Sequence, residues 1–158
     1  RIKNWIIDEL ESSIVLYYTG SSRESAKIID EQVRKVEEKD EGSLNATHIV
    51  KQDALIMKEA ILKGDIKLLS DTMNHSWLFK KKMAPSISNK LIDDVFRIAI
   101  NSGAYSGKIS GAGGGGFIIF LINPIKRMSV VNALNALSGK VVNFNFTKYG
   151  AKGWRIYE

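Results

Sequence analysis

The sequence contains no cysteine, so disulfides and thiolate metal sites are excluded from the start. That lack fits a reducing compartment. Prolines number only two, Pro85 and Pro124, and both read as punctuation between regular elements. No apolar run approaches the length of a membrane span; the most apolar stretch is Phe117 to Ile122. Charge and polarity interrupt the first residues, Arg1-Ile2-Lys3-Asn4-Trp5, at once, so no signal peptide is expected there. The first residue is not methionine, and the chain is expected to be a piece of a longer protein. Repeats and low-complexity linkers are missing too.

What is present is ordinary for one globular domain. The 158 residues are 44% hydrophobic and 25% charged. A net charge of +6 permits an anionic partner. The lysines are dispersed, apart from Lys80-Lys81-Lys82, and they are not interleaved with aromatics as a single-strand nucleic-acid groove requires. No nucleic-acid or membrane partner is therefore expected.

Ser13 to Thr19 is β-branched and aromatic and predicts a buried strand ending at Gly20. Ser21 and Glu24 have the spacing of a capping box. Behind them Ala26, Ile29, Val33 and Val36 predict an amphipathic helix with that stripe inward. Asn45 predicts the cap of a second helix carrying Val50, Ala54, Met57 and Ile61 on one face, with Gly64 as its stop. Asp65 predicts the cap of a third, through Leu69, Met73 and Trp77. Ser88 predicts the cap of a fourth, ending at Gly103. Tyr105 to Ser110 and Phe117 to Ile122 then predict strands. A helix follows from Pro124 to Gly139, then a strand from Val141 to Phe146, with a last one expected near Trp154. The fold class is α+β: an antiparallel sheet with helices on one face.

Gly111, Gly113 and Gly116 match G-x-G-x-x-G, a weak signal alone. A dinucleotide loop needs a helix after it, and here a strand follows. A Walker loop ends in Gly-Lys-Ser/Thr, where this one has Phe117. A protein-kinase loop would be followed by H-R-D and D-F-G, and neither occurs. What remains is a strand-to-strand loop whose glycines let another group approach consecutive backbone N–H donors, which together form an anion nest.

Lys108-Ile109-Ser110-Gly111-Ala112-Gly113-Gly114-Gly115-Gly116-Phe117 resembles the third motif of the GHMP kinases. Tyr17 to Ala26, Trp77 to Lys82, Ile87-Ser88-Asn89 and Ser102 to Lys108 resemble the heptose-phosphate branch of that family. The resemblance implies that residues 1–158 form the C-terminal domain, a ferredoxin-like fold. The ATP-phosphate loop, P-x-x-x-G-L-G-S-S, and any acidic catalytic residue would lie in an N-terminal domain absent from this chain. It implies transfer of the ATP γ-phosphoryl to a sugar hydroxyl, with ATP and Mg bound mainly by that missing half. It implies a sugar phosphate, ATP and the N-terminal domain as partners, and a cytoplasmic location.

No catalytic residue is assigned within the chain. Lys108, Ser110, Gly111, Ala112, Gly113, Gly114, Gly115 and Gly116 are the expected phosphate-loop and substrate-proximal residues. Arg23 and Lys81 are the further candidates for gripping substrate, and Trp77 is expected in the core. His48 and His75 have no partner at ligand spacing, so no metal site is expected. The alternative is a non-catalytic basic module that binds RNA or a small anion.

Overall fold

The computed structural model describes residues 1–21 and 25–155. Its first element is a helix that the sequence did not announce, Asn4–Ser13 (α1). The residue before it, Lys3, offers no side-chain cap, and its inward face is little more than Ile6 and Leu10. Strand Ile14–Tyr18 (β1) follows, then helix Ser25–Glu37 (α2).

The stripe expected to face inward on α2 does not. Ile29, Val33 and Val36 are exposed, and Ile28 is the buried residue. Helical spacing identifies a shared face; it does not say whether anything packs on that face.

The second helix begins earlier than expected. Helix Glu41–Lys63 (α3) is capped by Asp40, whose carboxylate accepts from the Ser43 N–H at 2.8 Å, and not by Asn45. Its inward face is correspondingly shifted to Ala46, Asp53 and Ala60, and Ala54 is exposed. Gly64 ends it in the left-handed conformation at φ 73. Asp65 caps helix Ile66–Met83 (α4) through the Leu68 N–H, as expected. The α3–α4 hairpin is closed at its far end by Ser43 Oγ, which donates to the Met83 carbonyl at 2.9 Å.

After a 3-10 turn, Pro85–Ile87, helix Lys90–Ser102 (α5) is capped by Asn89 rather than Ser88. Ser88 Oγ donates instead to Asp93. Strands Ala104–Ile109 (β2) and Phe117–Ile122 (β3) lie where the apolar pattern put them. A second 3-10 turn, Pro124–Lys126, leads into helix Arg127–Asn135 (α6), which stops short of Gly139.

Strand Lys140–Val142 (β4) is shorter than predicted. It pairs Leu16 with Val142, so the next partners in register would be Ile14 and Phe144. Arg127 Nη1 already donates to the Ile14 carbonyl at 2.9 Å, and the ladder ends. Residues 151–155 form no strand, and Tyr157 lies outside the described residues.

The four strands are all antiparallel, in the order β2-β3-β1-β4. With the crossovers through helices, that is the split βαβ order of a ferredoxin-like sheet. The larger core lies on one face. Val15, Tyr17, Ile118, Phe120 and Ile122 meet Ile92, Val95 and Ala99 of α5 and Val130 and Leu134 of α6. Each fully buried side chain of this size contributes about 1.5–3 kcal/mol. A smaller cluster joins Leu121 to Ile6, Leu10, Ala60, Leu69 and Met73, which ties α1, α3 and α4 to the sheet.

Two packing details bear on the site. Trp77 is buried and stacks on Phe96 at 5.0 Å, as its place on the α4 stripe implied. His75 has a partner after all: Nδ1 lies 3.0 Å from Asp53 Oδ2, across the α3–α4 interface. Their separation along the chain hid the pair.

Candidate functional site

Strand β2 leaves the sheet at Ile109 and β3 enters at Phe117. The neck between them is closed by the Ser110 N–H donating to the Phe117 carbonyl at 2.8 Å. The loop then leans on two supports. On one side the Gly114 N–H donates to Ile87 O at 2.9 Å, and Asn89 Nδ2 donates to Gly114 O at 3.3 Å. On the other, the Gly116 N–H is shared between Ser21 O at 2.8 Å and Thr19 Oγ1 at 3.0 Å. Thr19 is buried, and its own N–H returns to Gly116 O at 2.9 Å.

These contacts explain the glycines. A Cβ on Gly113 would stand 2.8 Å from both Cα and O of Ile87, and φ there is +124. A Cβ on Gly115 would stand 2.8 Å from Ser21 O. The loop is therefore pressed backbone to backbone against the ends of two neighbouring elements.

The supports use only some of the donors. Among the described residues, the N–H groups of Gly111, Ala112, Gly113 and Gly115 have no hydrogen-bond partner. Gly113 and Gly115 are buried. A buried, unpaired N–H costs free energy comparable to a lost hydrogen bond. Such groups in a row are the donor set of an anion nest.

Two lysines flank the loop. Lys80 Nζ donates to the Gly111 carbonyl at 2.5 Å. Lys108 sits on β2, paired with Ile119, and lines an apolar hollow of about 460 Å³ with Leu10, Met57, Met73 and Leu121. Burial pushes both ammonium groups below the ordinary lysine range, and the charge of Lys108 lowers Lys80 further.

The other predicted residues are placed differently. Lys81 is 3.6 Å from Asp93 and lies over the Trp77 ring, so a carboxylate already partners it. Ser110 is exposed at the loop neck. Arg23 lies outside the described residues.

Sequence reasoning missed Lys80, Thr19, Ile87 and Asn89. For Lys80 a signal existed: it follows Met73 and Trp77 by helical spacing on the inward stripe of α4. A larger hollow, about 560 Å³, opens at the opposite end of the sheet between Glu9, Lys67, Asp71 and Tyr105, and holds none of the predicted residues. Among the described residues no group of three or more His, Asp or Glu side chains could hold a metal ion, and no helix is long and apolar enough to cross a membrane.

A family model described as "GHMP kinases C terminal" matches residues 57–140. The chain is 46% identical, over 99% of its length, to D-glycero-alpha-D-manno-heptose 7-phosphate kinase of Campylobacter jejuni, and covers 45% of that protein. It superposes on a D-glycero-D-manno-heptose 1-phosphate kinase of Bacteroides thetaiotaomicron with a TM-score of 0.69, at 36% identity, covering 100% of this chain and 40% of that one. It superposes on the mevalonate kinase of Methanococcus jannaschii with a TM-score of 0.67, at 26% identity, covering 90% and 42%. The chain thus spans less than half the length of the relatives it matches. On the family match and the 46% identity over nearly its whole length, the chain belongs to the GHMP kinase family, as a C-terminal portion.

Proposed function

We propose that this chain is the C-terminal domain of an ATP-dependent sugar-phosphate kinase of the heptose-phosphate type. The observation that carries the reading is the row of unpaired N–H donors at Gly111, Ala112, Gly113 and Gly115, flanked by Lys80 and Lys108. Phosphoryl transfer asks mostly for positioning and for stabilisation of charge on the transferred group. Fixed backbone donors supply both without reorganising.

In this reading the loop steadies the phosphate groups of ATP and the phosphoryl in flight, while the sugar hydroxyl attacks from the acceptor side. ATP supplies the phosphoryl group. The described residues offer phosphate ligands but no carboxylate set for magnesium, so no step is assigned to the metal here. Lys81 and Arg23 stay as candidate contacts of the acceptor, Lys81 only if it leaves Asp93. A second domain completes the pocket, and the 158 residues alone are inactive. The alternative of a non-catalytic RNA- or anion-binding module is set aside, because the chain belongs to a kinase family.

The heptose assignment is supported by the extent of the likeness to the Campylobacter enzyme. The two heptose kinases named above differ in the position of the phosphate on the sugar. The test is ADP release by the full-length protein with MgATP and a panel of heptose 7-phosphate, heptose 1-phosphate, galactose and mevalonate. Preference for a heptose phosphate is the expected result. Preference for galactose or mevalonate would keep the kinase and discard the branch. A folded protein that releases no ADP with any of them would remove the proposal.

A further inference from the structure

The loop's own donors do not account for the two lysines beside it. Helix α4 runs alongside β2: Ser70 Oγ donates to Ser106 Oγ near one end, and Lys80 reaches Gly111 at the other. Ten helical residues from Ser70 to Lys80 advance about 15 Å. Five extended residues from Ser106 to Gly111 advance about 16 Å. The two elements therefore keep pace, and they deliver Lys80 and Lys108 to one corner.

That corner is electrostatically incomplete. The Lys108 ammonium has no hydrogen bond or ion pair among the described residues, and that of Lys80 has only a neutral carbonyl. Acidic side chains are scarce nearby in sequence: none lies between Asp71 and Asp93 or between Asp94 and Glu158, and Asp93 is engaged by Ser88 and Lys81. The apolar wall around Lys108, formed by Ile119, Met73 and Leu121, supplies no counter-charge. Two ammonium groups brought together in a half-buried corner repel each other unless a dianion joins them.

The geometry points to a phosphate-monoester subsite at Lys80 and Lys108, separate from the N–H nest, that holds the phosphate already carried by the acceptor sugar. It rests on the kinase reading for the identity of the acceptor. The division of labour follows from the donors. Backbone N–H groups in fixed array suit the transferred phosphoryl, whose charge changes during reaction. Flexible ammonium groups suit a phosphate that stays intact and must be told apart from a hydroxyl. A phosphate dianion could equally come from ATP, and the experiment separates the two sources.

The full-length protein is made with Lys80→Met, Lys108→Met, both together, and Lys80→Arg. Methionine keeps an unbranched apolar stem and removes the charge. Michaelis constants are measured for ATP and for the sugar phosphate, with the unphosphorylated sugar as competitor substrate. Loss of one charge-assisted contact should raise KM for the sugar phosphate about ten- to a hundredfold. KM for ATP should move less than twofold, preference over the unphosphorylated sugar should collapse, and Lys80→Arg should restore most of the affinity. A rise in KM for ATP instead, or no change in either constant, overturns the subsite.

Calorimetric titration of inorganic phosphate onto the folded proteins gives a readout independent of turnover. Affinity at least tenfold weaker in the double variant supports the subsite even where the kinase reading fails. Equal affinity in wild type and double variant overturns it even where the kinase reading holds.

Discussion

The two ends of β2 meet the same helix and are finished in opposite ways. At Ser106 the contact with α4 is neutral, buried and closed, hydroxyl to hydroxyl at 3.0 Å. At Lys108 and the loop beyond it, backbone N–H groups stand unpaired and two ammonium groups lack an acid among the described residues. Folding alone favours the first finish, because buried polar groups are normally satisfied within the protein. Gln32 Nε2 on α2 is also buried without a partner, but only at this end do several open donors and two ammonium groups stand together, and here something outside these residues is to be received. The difference identifies the site more sharply than the glycine pattern does, since glycine also serves plain turns at Gly64 and Gly103.

The largest expected effect comes from closing the open end by force. In Gly113→Ala the new Cβ meets Ile87 Cα and O at 2.8 Å, and φ +124 strains any L-residue. The loop must move off its Ile87 support, and the donor row moves with it. Displacing preorganised donors from a developing charge costs about 10²–10³ in turnover. ADP release by the full-length variant should fall at least a hundredfold while circular dichroism retains the helical signal. Turnover near wild type would mean that the row is not aimed at the reacting group, and the contrast between the two ends would lose its functional meaning.

A smaller effect, of the opposite kind, is expected at the closed end. Ser70→Ala strands the Ser106 hydroxyl, which has no exposed surface. Leaving one buried polar group unpaired costs about 1–3 kcal/mol of stability. Urea unfolding of the 158-residue chain should show that loss, and removing both hydroxyls in Ser70→Ala with Ser106→Ala should recover part of it. Turnover of the full-length Ser70→Ala protein should stay within about twofold. A turnover loss there without a stability loss would show that this end, too, serves the reaction.

The sequence made the closed parts of the molecule more legible than the open ones. Strand β3, the Asp65 cap and the Gly64 and Gly103 stops could be read because each follows from a local rule: apolar run, side-chain cap, left-handed glycine. The α2 stripe could be read as a stripe but not as exposed, because that depends on what lies across from it. The end of β4 was invisible because it depends on Arg127, a residue far from Ile14 in sequence. In the site, the loop was evident from composition, and its supports were not. Ile87, Asn89, Thr19 and Ser21 are ordinary residues made important by what the loop does to them. Lys80 stood in plain view within three lysines, and only its place after Trp77 on the inward face separated it from Lys81.

The smallest effect is electrostatic, and its sign follows from linkage. Burial holds Lys80 and Lys108 below the ordinary lysine range in the folded chain, whereas both titrate normally once unfolded. Between the lowered folded values and the unfolded one, the unfolded state binds more protons. Stability therefore rises with pH through that alkaline window, and below it the folded state carries the full penalty of two confined charges. The Lys80→Met, Lys108→Met double variant should lose this rise and be the more stable protein at neutral pH. Added inorganic phosphate should stabilise the wild type more than the double variant, most where both lysines are charged, and so flatten the wild-type slope. Urea midpoints measured across the alkaline range, with and without phosphate, decide the matter. A wild-type slope that phosphate leaves untouched would mean that the open corner is a folding defect tolerated for some other reason, and that the two ends of β2 differ in stability but not in purpose.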